Sequence, residues 1–120
     1  MPNILLVDDD EQLRSMLKIV LTRAGHEVQE ACNGNEALKI QSNHPPDLMI
    51  TDIVMPDREG LDTIREVLRN NATIKIIAMS GGGRISSQDY LNLAEKMGAD
   101  CTIAKPFSNQ EILRVIELLL

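Results

Sequence analysis

Ile4-Leu5-Leu6-Val7-Asp8-Asp9-Asp10 opens the chain with four unbroken apolar residues followed by three acids. A short continuous apolar run suits a strand buried on both faces, as in a parallel sheet. The same step recurs at Leu48-Met49-Ile50-Thr51-Asp52, and a further run, Cys101–Ala104, ends just before Lys105-Pro106-Phe107. Residues 74–79 form another such run, and Glu27–Ala31 a weaker one. Carboxylates gathered at strand ends repel one another in low dielectric, so positive charge belongs among them. A hard divalent cation and a lysine ammonium are the natural candidates.

Helical stripes lie between these runs. Leu13, Met16, Leu17, Val20, Leu21 and Ala24 recur at helical spacing, and Gly25 is placed to end that helix. A weaker second helix is expected around residues 35–42 and a third on Leu61, Ile64 and Leu68. Tyr90, Leu93, Ala94 and Met97 mark a fourth, closed by Gly98. Ser108-Asn109-Gln110-Glu111 reads as a capping box opening a fifth. Strands alternating with helices in this way predict one α/β domain over residues 1–120, with helices on both faces of the sheet. In such sheets reactive groups collect beyond the C-terminal strand ends. Asp8, Asp9, Asp52, Ser80 and Lys105 all fall there.

The 120 residues allow an ordinary core without staples. A net charge of −6, with no Lys/Arg cluster, argues against nucleic-acid binding by this chain. Cys32 and Cys101 lack metal-ligand or disulfide spacing and read as small, partly buried hydrophobes. No apolar run is long enough to span a membrane, and Met1-Pro2-Asn3 leads straight into a strand without a basic leader, so a cytoplasmic location is expected. His26 and His44 are read as surface or turn residues.

An acid pair, a third carboxylate, a hydroxyl and an ammonium at one sheet edge suit phosphoryl transfer to an aspartate. Mg²⁺ takes carboxylate, phosphoryl and water oxygens, while lysine and hydroxyl groups bind the remaining phosphoryl oxygens. The segments Ile4 to Asp10, Asp47 to Pro56, Ile76 to Ser80, Gly98 to Asp100 and Ala104 to Phe107 together resemble the receiver domain of bacterial two-component response regulators, CheY-like and flavodoxin-like in fold. The resemblance spans essentially the whole chain. It implies a doubly wound, five-stranded parallel sheet in the order 2-1-3-4-5 with five helices. It further implies Asp52 as phosphoacceptor, Asp9 as a direct Mg²⁺ ligand, Asp8 acting mainly through metal-bound water, and the main-chain carbonyl of Val54 completing the protein ligands. The same oxygen donors would also accept Mn²⁺ in place of Mg²⁺. Ser80 would be the switch hydroxyl, Lys105 the phosphoryl clamp, and Lys105-Pro106 a cis peptide. The implied partner is a sensor histidine kinase or histidine phosphotransfer protein. The implied role is a signalling switch acting on an output domain or partner, not an enzyme beyond its own phosphorylation and slow dephosphorylation.

Three departures stand out. Thr102 occupies the position, three before the lysine, where the family usually carries an aromatic, so output is expected to run through backbone or loop movement. Gly81-Gly82-Gly83 predicts a loop that is mobile without phosphate and ordered with it; the alternative is a plain connector. Leu113, Leu118 and Leu120 exceed what one core stripe on the last helix needs, which points either to a homodimer or interdomain contact or to the frayed end of a longer chain. Rival readings fit the residues less well, a flavodoxin-like redox protein among them because the chain lacks aromatics to sandwich a flavin. A haloacid-dehalogenase-type phosphatase wants a second Asp where Val54 stands, and a degenerate receiver serving only as a binding module would have lost an acid or the lysine.

Overall fold

The computed structural model describes residues 2–53, 60–81, 92 and 95–120. Val54, Gly82, Gly83, Tyr90, Leu93 and Ala94, each singled out in the sequence, lie outside them, as does the side chain of Leu61. The strands are β1 (Asn3–Val7), β2 (Glu27–Ala31), β3 (Leu48–Asp52), β4 (Lys75–Ser80) and β5 (Cys101–Ala104). They form one parallel sheet in the order β2-β1-β3-β4-β5. The helices are α1 (Glu11–Arg23), α2 (Gly34–Asn43), α3 (Gly60–Asn70), α4, described at Asn92 and residues 95–97, and α5 (Asn109–Leu119). The expected doubly wound, flavodoxin-like fold is the one observed.

The apolar runs are unbroken because each central strand feeds two cores. Leu5, Val7, Met49, Ile76 and Ala78 join Ile64 and Val67 of α3 and Ala37 of α2 on one face. Ile4, Leu6, Leu48, Ile50, Ile77 and Met79 join Leu17 and Leu21 of α1 and Ile112 and Ile116 of α5 on the other. Alternate residues thus point to opposite faces, and both faces are dry.

Helix ends follow the local chemistry. Asp10 caps α1, its carboxylate accepting from the Leu13 N–H at 3.1 Å. Gly25 and Gly98 adopt φ of +96° and +116°, the left-handed C′ geometry for which glycine is suited. The Ser108 hydroxyl accepts from the Glu111 N–H at 3.1 Å, but the Glu111 carboxylate meets that hydroxyl rather than the Ser108 backbone, so the capping box is half formed.

Three sequence expectations shift. Leu113 is not surplus: it packs on the α1–α5 core, leaving Leu118, 77% exposed, and Leu120 as the apolar excess of α5. Cys32 is exposed rather than partly buried, with its thiol 3.0 Å from Glu36 Oε2. His44 is the C-cap of α2 as a turn residue should be, whereas His26 tucks Nδ1 out of solvent with no hydrogen-bond partner.

Removing the α1 cap by Asp10→Ala is expected to lower stability by about 1 kcal/mol in chemical denaturation. Asp9→Ala has no cap to lose and should cost nothing comparable in the same assay.

Candidate phosphoacceptor site

β1 and β3 are adjacent parallel strands in the register Ile4↔Leu48 through Val7↔Thr51, so Asp8 and Asp52 emerge side by side. Asp9, one residue beyond, is exposed, while Asp8 and Asp52 are 2% and 8% exposed. Carboxylate oxygens of all three lie within 4.8 Å of one another. Lys105 reaches in from the end of β5, with Nζ 2.8 Å from Asp8 Oδ2 and 3.6 Å from Asp52 Oδ2. Its own peptide is tied to β4, the Lys105 N–H donating to the Ser80 carbonyl at 2.8 Å. The Lys105-Pro106 bond is cis, as the family resemblance implies.

The Asp52 carboxylate is held from two sides. Oδ1 accepts from the Ile53 N–H at 2.9 Å, and Oδ2 faces the ammonium. Burial raises the Asp52 pKa most, the Lys105 charge lowers it, and Asp8 and Asp9 raise it again; the net result is a rise from 3.8 to about 6. The lysine is pulled the other way. Burial disfavours its charge, but the Asp8 hydrogen bond and the charges of Asp52 and Asp8 outweigh that and raise its pKa. Ser80, at the end of β4, is 1% exposed, and its Oγ has no hydrogen-bond partner among the described residues. A buried hydroxyl without a partner is costly unless something else engages it.

The acid set suits Mg²⁺: carboxylate oxygens converge, one carboxylate stays open to solvent, and the charge excess is negative. Val54, the expected main-chain ligand, lies outside the described residues.

Sequence reasoning overlooked three residues that shape this edge. Arg14 of α1, only 15% exposed, donates to the Asp8 main-chain carbonyl at 2.7 Å and pairs with Glu30 of β2 at 3.4 Å. Thr51 buries its hydroxyl against the Asp52 carbonyl at 2.9 Å. Gly60 donates to the Ile53 carbonyl at 2.6 Å, and a Cβ there would overlap the Asp52 and Ile53 backbone. Arg14 and Gly60 carry no spacing signal, since each acts through a contact made only after separate elements come together, whereas Thr51 bonds its own strand neighbour and reads in the sequence as an ordinary strand residue. Thr102, in the usual aromatic position, instead lies 3.4 Å from Glu95 Oε1 on α4.

The raised Asp52 pKa fixes a sign for stability. The folded state binds this proton more tightly than the unfolded state, so the favourable contribution is complete below pH 3.8 and is lost as pH rises through about 6. The full difference is on the order of 3 kcal/mol. Asp52→Asn should therefore stabilise the metal-free protein at pH 7 to 8, by up to about that amount, with the gain fading toward pH 4. Denaturation of both forms across that range checks it.

The sequence profile of the response regulator receiver domain family matches residues 4–117. The chain is 40% identical over 114 residues to the chemotaxis protein CheY of Thermotoga maritima, covering 94% of this chain and 92% of that protein. It is 34% identical over 120 residues to the transcriptional regulatory protein CpxR of Klebsiella pneumoniae, covering all of this chain but half of that one. Among solved structures, a response regulator receiver domain protein from Clostridium thermocellum superposes with a TM-score of 0.91 at 30% identity, covering 99% and 94% of the two chains. The response regulator TrrA of Thermotoga maritima, solved in complex with Mg²⁺-BeF, superposes with a TM-score of 0.88 at 34% identity over the full length of both. With β1, β3 and β5 bringing the acids and the lysine to one edge, this chain belongs to the response regulator receiver domain family of two-component systems.

Proposed function

We propose that Asp52 accepts a phosphoryl group from a sensor histidine kinase or histidine phosphotransfer protein, and that the resulting aspartyl phosphate biases the domain toward an output state. The observation that carries this reading is the convergence of Asp8, Asp9 and Asp52 within 4.8 Å, bridged by Lys105, beside a buried Ser80 hydroxyl that has no partner. Asp52 Oδ2 attacks phosphorus as the donor's P–N bond breaks, and the imidazole leaves with the electron pair. Ionised Asp52 is the nucleophile, so the ammonium that lowers its pKa also enlarges the reactive fraction.

Lys105 then trades part of its contact with Asp8 for a phosphoryl oxygen, and Ser80 gains the acceptor it lacks. Asp9, Asp8 and Asp52, with the Val54 carbonyl, would hold Mg²⁺; Mn²⁺ suits the same all-oxygen donors. When bound, the cation neutralises charge developing on the phosphoryl oxygens. Position 54, where a haloacid-dehalogenase-type phosphatase carries its second Asp, is Val54, which favours a lasting signal over phosphatase turnover. With Thr102 tied to Glu95, the response is carried by backbone and by the β5–α4 contact rather than by a rotating aromatic ring.

Incubation with acetyl phosphate and Mg²⁺, followed by intact-mass measurement, is expected to show one added phosphoryl group on the native protein and none on Asp52→Ala. Equal labelling of the variant would overturn the assignment.

A further inference from the structure

Asp8 is the first residue past the β1 ladder, and every polar group it has is taken. Its N–H donates to the Ala31 carbonyl at 3.1 Å, the last bond toward β2. Its Oδ1 accepts from the Asp10 N–H at 2.9 Å, closing an Asx turn, and its Oδ2 accepts from Lys105 at 2.8 Å. The Asp8 carbonyl has no further strand residue to meet, because β2 ends at Ala31. Arg14 Nη1 fills that place at 2.7 Å. This carbonyl belongs to the peptide that joins Asp8 to Asp9. Asp9 is exposed, so packing does not fix its direction and the peptide before it does.

The guanidinium is itself held from a third element. Arg14 Nε lies 3.4 Å from Glu30 Oε1 on β2, and Lys18, one turn further along α1, lies 3.4 Å from Glu30 Oε2. Partly exposed ion pairs of this length add little stability. Arg14 does not serve the helix either, since a cation in the first turn of α1 opposes the helix dipole. What the guanidinium adds is direction: a planar fork with one edge on Glu30 sets the other on Asp8, which a single ammonium cannot do. Its charge works against a bound metal, because a cation beside three convergent acids weakens their pull on a divalent ion. Glu30 offsets that charge and leaves the hydrogen bond.

We propose that Arg14 is a positioning residue for the acid set: anchored by Glu30, it fixes the Asp8–Asp9 peptide so that Asp9 turns toward Asp8 and Asp52. The set is then ready for a divalent cation before one arrives. The consequence for metal binding rests on Asp8, Asp9 and Asp52 holding Mg²⁺; the setting of the peptide does not.

The test has a metal arm and a structural arm. Calorimetric titration with Mg²⁺ is made on folded protein, so global stability does not enter the constant. Arg14→Met keeps an aliphatic stem and removes the fork. It should raise the Mg²⁺ dissociation constant by roughly 10-fold, the usual cost of losing a group that orients a metal ligand. Loss of a nearby cation would by itself do the reverse and tighten binding. Tighter or unchanged binding therefore overturns the proposal. Arg14→Lys keeps the charge but not the fork, and should weaken binding by about 3-fold or more. Native affinity in that variant overturns the proposal too, and it decides both arms if Arg14→Met does not fold. In crystals of the metal-free variant, the Asp8–Asp9 peptide should be rotated and the Asp9 carboxylate withdrawn from the set that lies within 4.8 Å in the native protein. An unmoved peptide sinks the idea. If the native protein takes up no Mg²⁺, the metal reading falls and the crystals alone judge Arg14.

Discussion

Three carboxylates at one sheet edge are tolerable only because a cation sits between them. At 4 Å and the effective dielectric of a protein surface, two like charges cost about 4 kcal/mol, and burial increases that cost. Asp8 and Asp52 are both nearly buried and share a single ammonium, with Nζ closer to Asp8. Asp52 is therefore the less compensated member; burial first, and then the charges of Asp8 and Asp9, raise its pKa against the opposing pull of Lys105. The edge is a preorganised shortage of positive charge. The donor set is compatible with a divalent cation on the side of exposed Asp9.

The backbone around this edge is restrained more firmly than the carboxylates themselves. Asp8 donates its N–H to the Ala31 carbonyl at 3.1 Å and receives Arg14 at its own carbonyl, so its peptide is gripped from β2 and from α1. Asp52 is backed by Ile53 and by the close approach of Gly60. Ser80 shares its carbonyl with Lys105 while its hydroxyl is free of protein partners. A tied backbone beneath the unpaired Ser80 hydroxyl lets that side chain change its bonding without rebuilding the frame.

Sequence patterning made the fold legible because each apolar run serves two cores, and an unbroken run is the mark of a strand covered on both faces. Asp10, Gly25 and Gly98 were legible for a local reason: caps and left-handed turns depend on residues a few positions away. The site residues could be read from their positions at strand ends, and strand order came from family likeness. Arg14 and the close approach of Gly60 were hidden because their contacts join separate elements. Leu113 was misjudged because helical spacing alone does not show how far α1 extends the core sideways, and Cys32 because a small apolar residue after an edge strand need not be covered.

The ion pair between Lys105 and Asp8 joins residues 97 apart in sequence. Every strand pairing is parallel, so each needs a crossover, and β5 can join the sheet only through β4. A chain emerging in order from its N-terminus would therefore present the acids before the lysine that reconciles them is available. Until the last strand docks, the carboxylates stand together without their ammonium, and their repulsion opposes premature consolidation of β1 against β3. Assembly of the charge cluster and completion of the topology are thus one event.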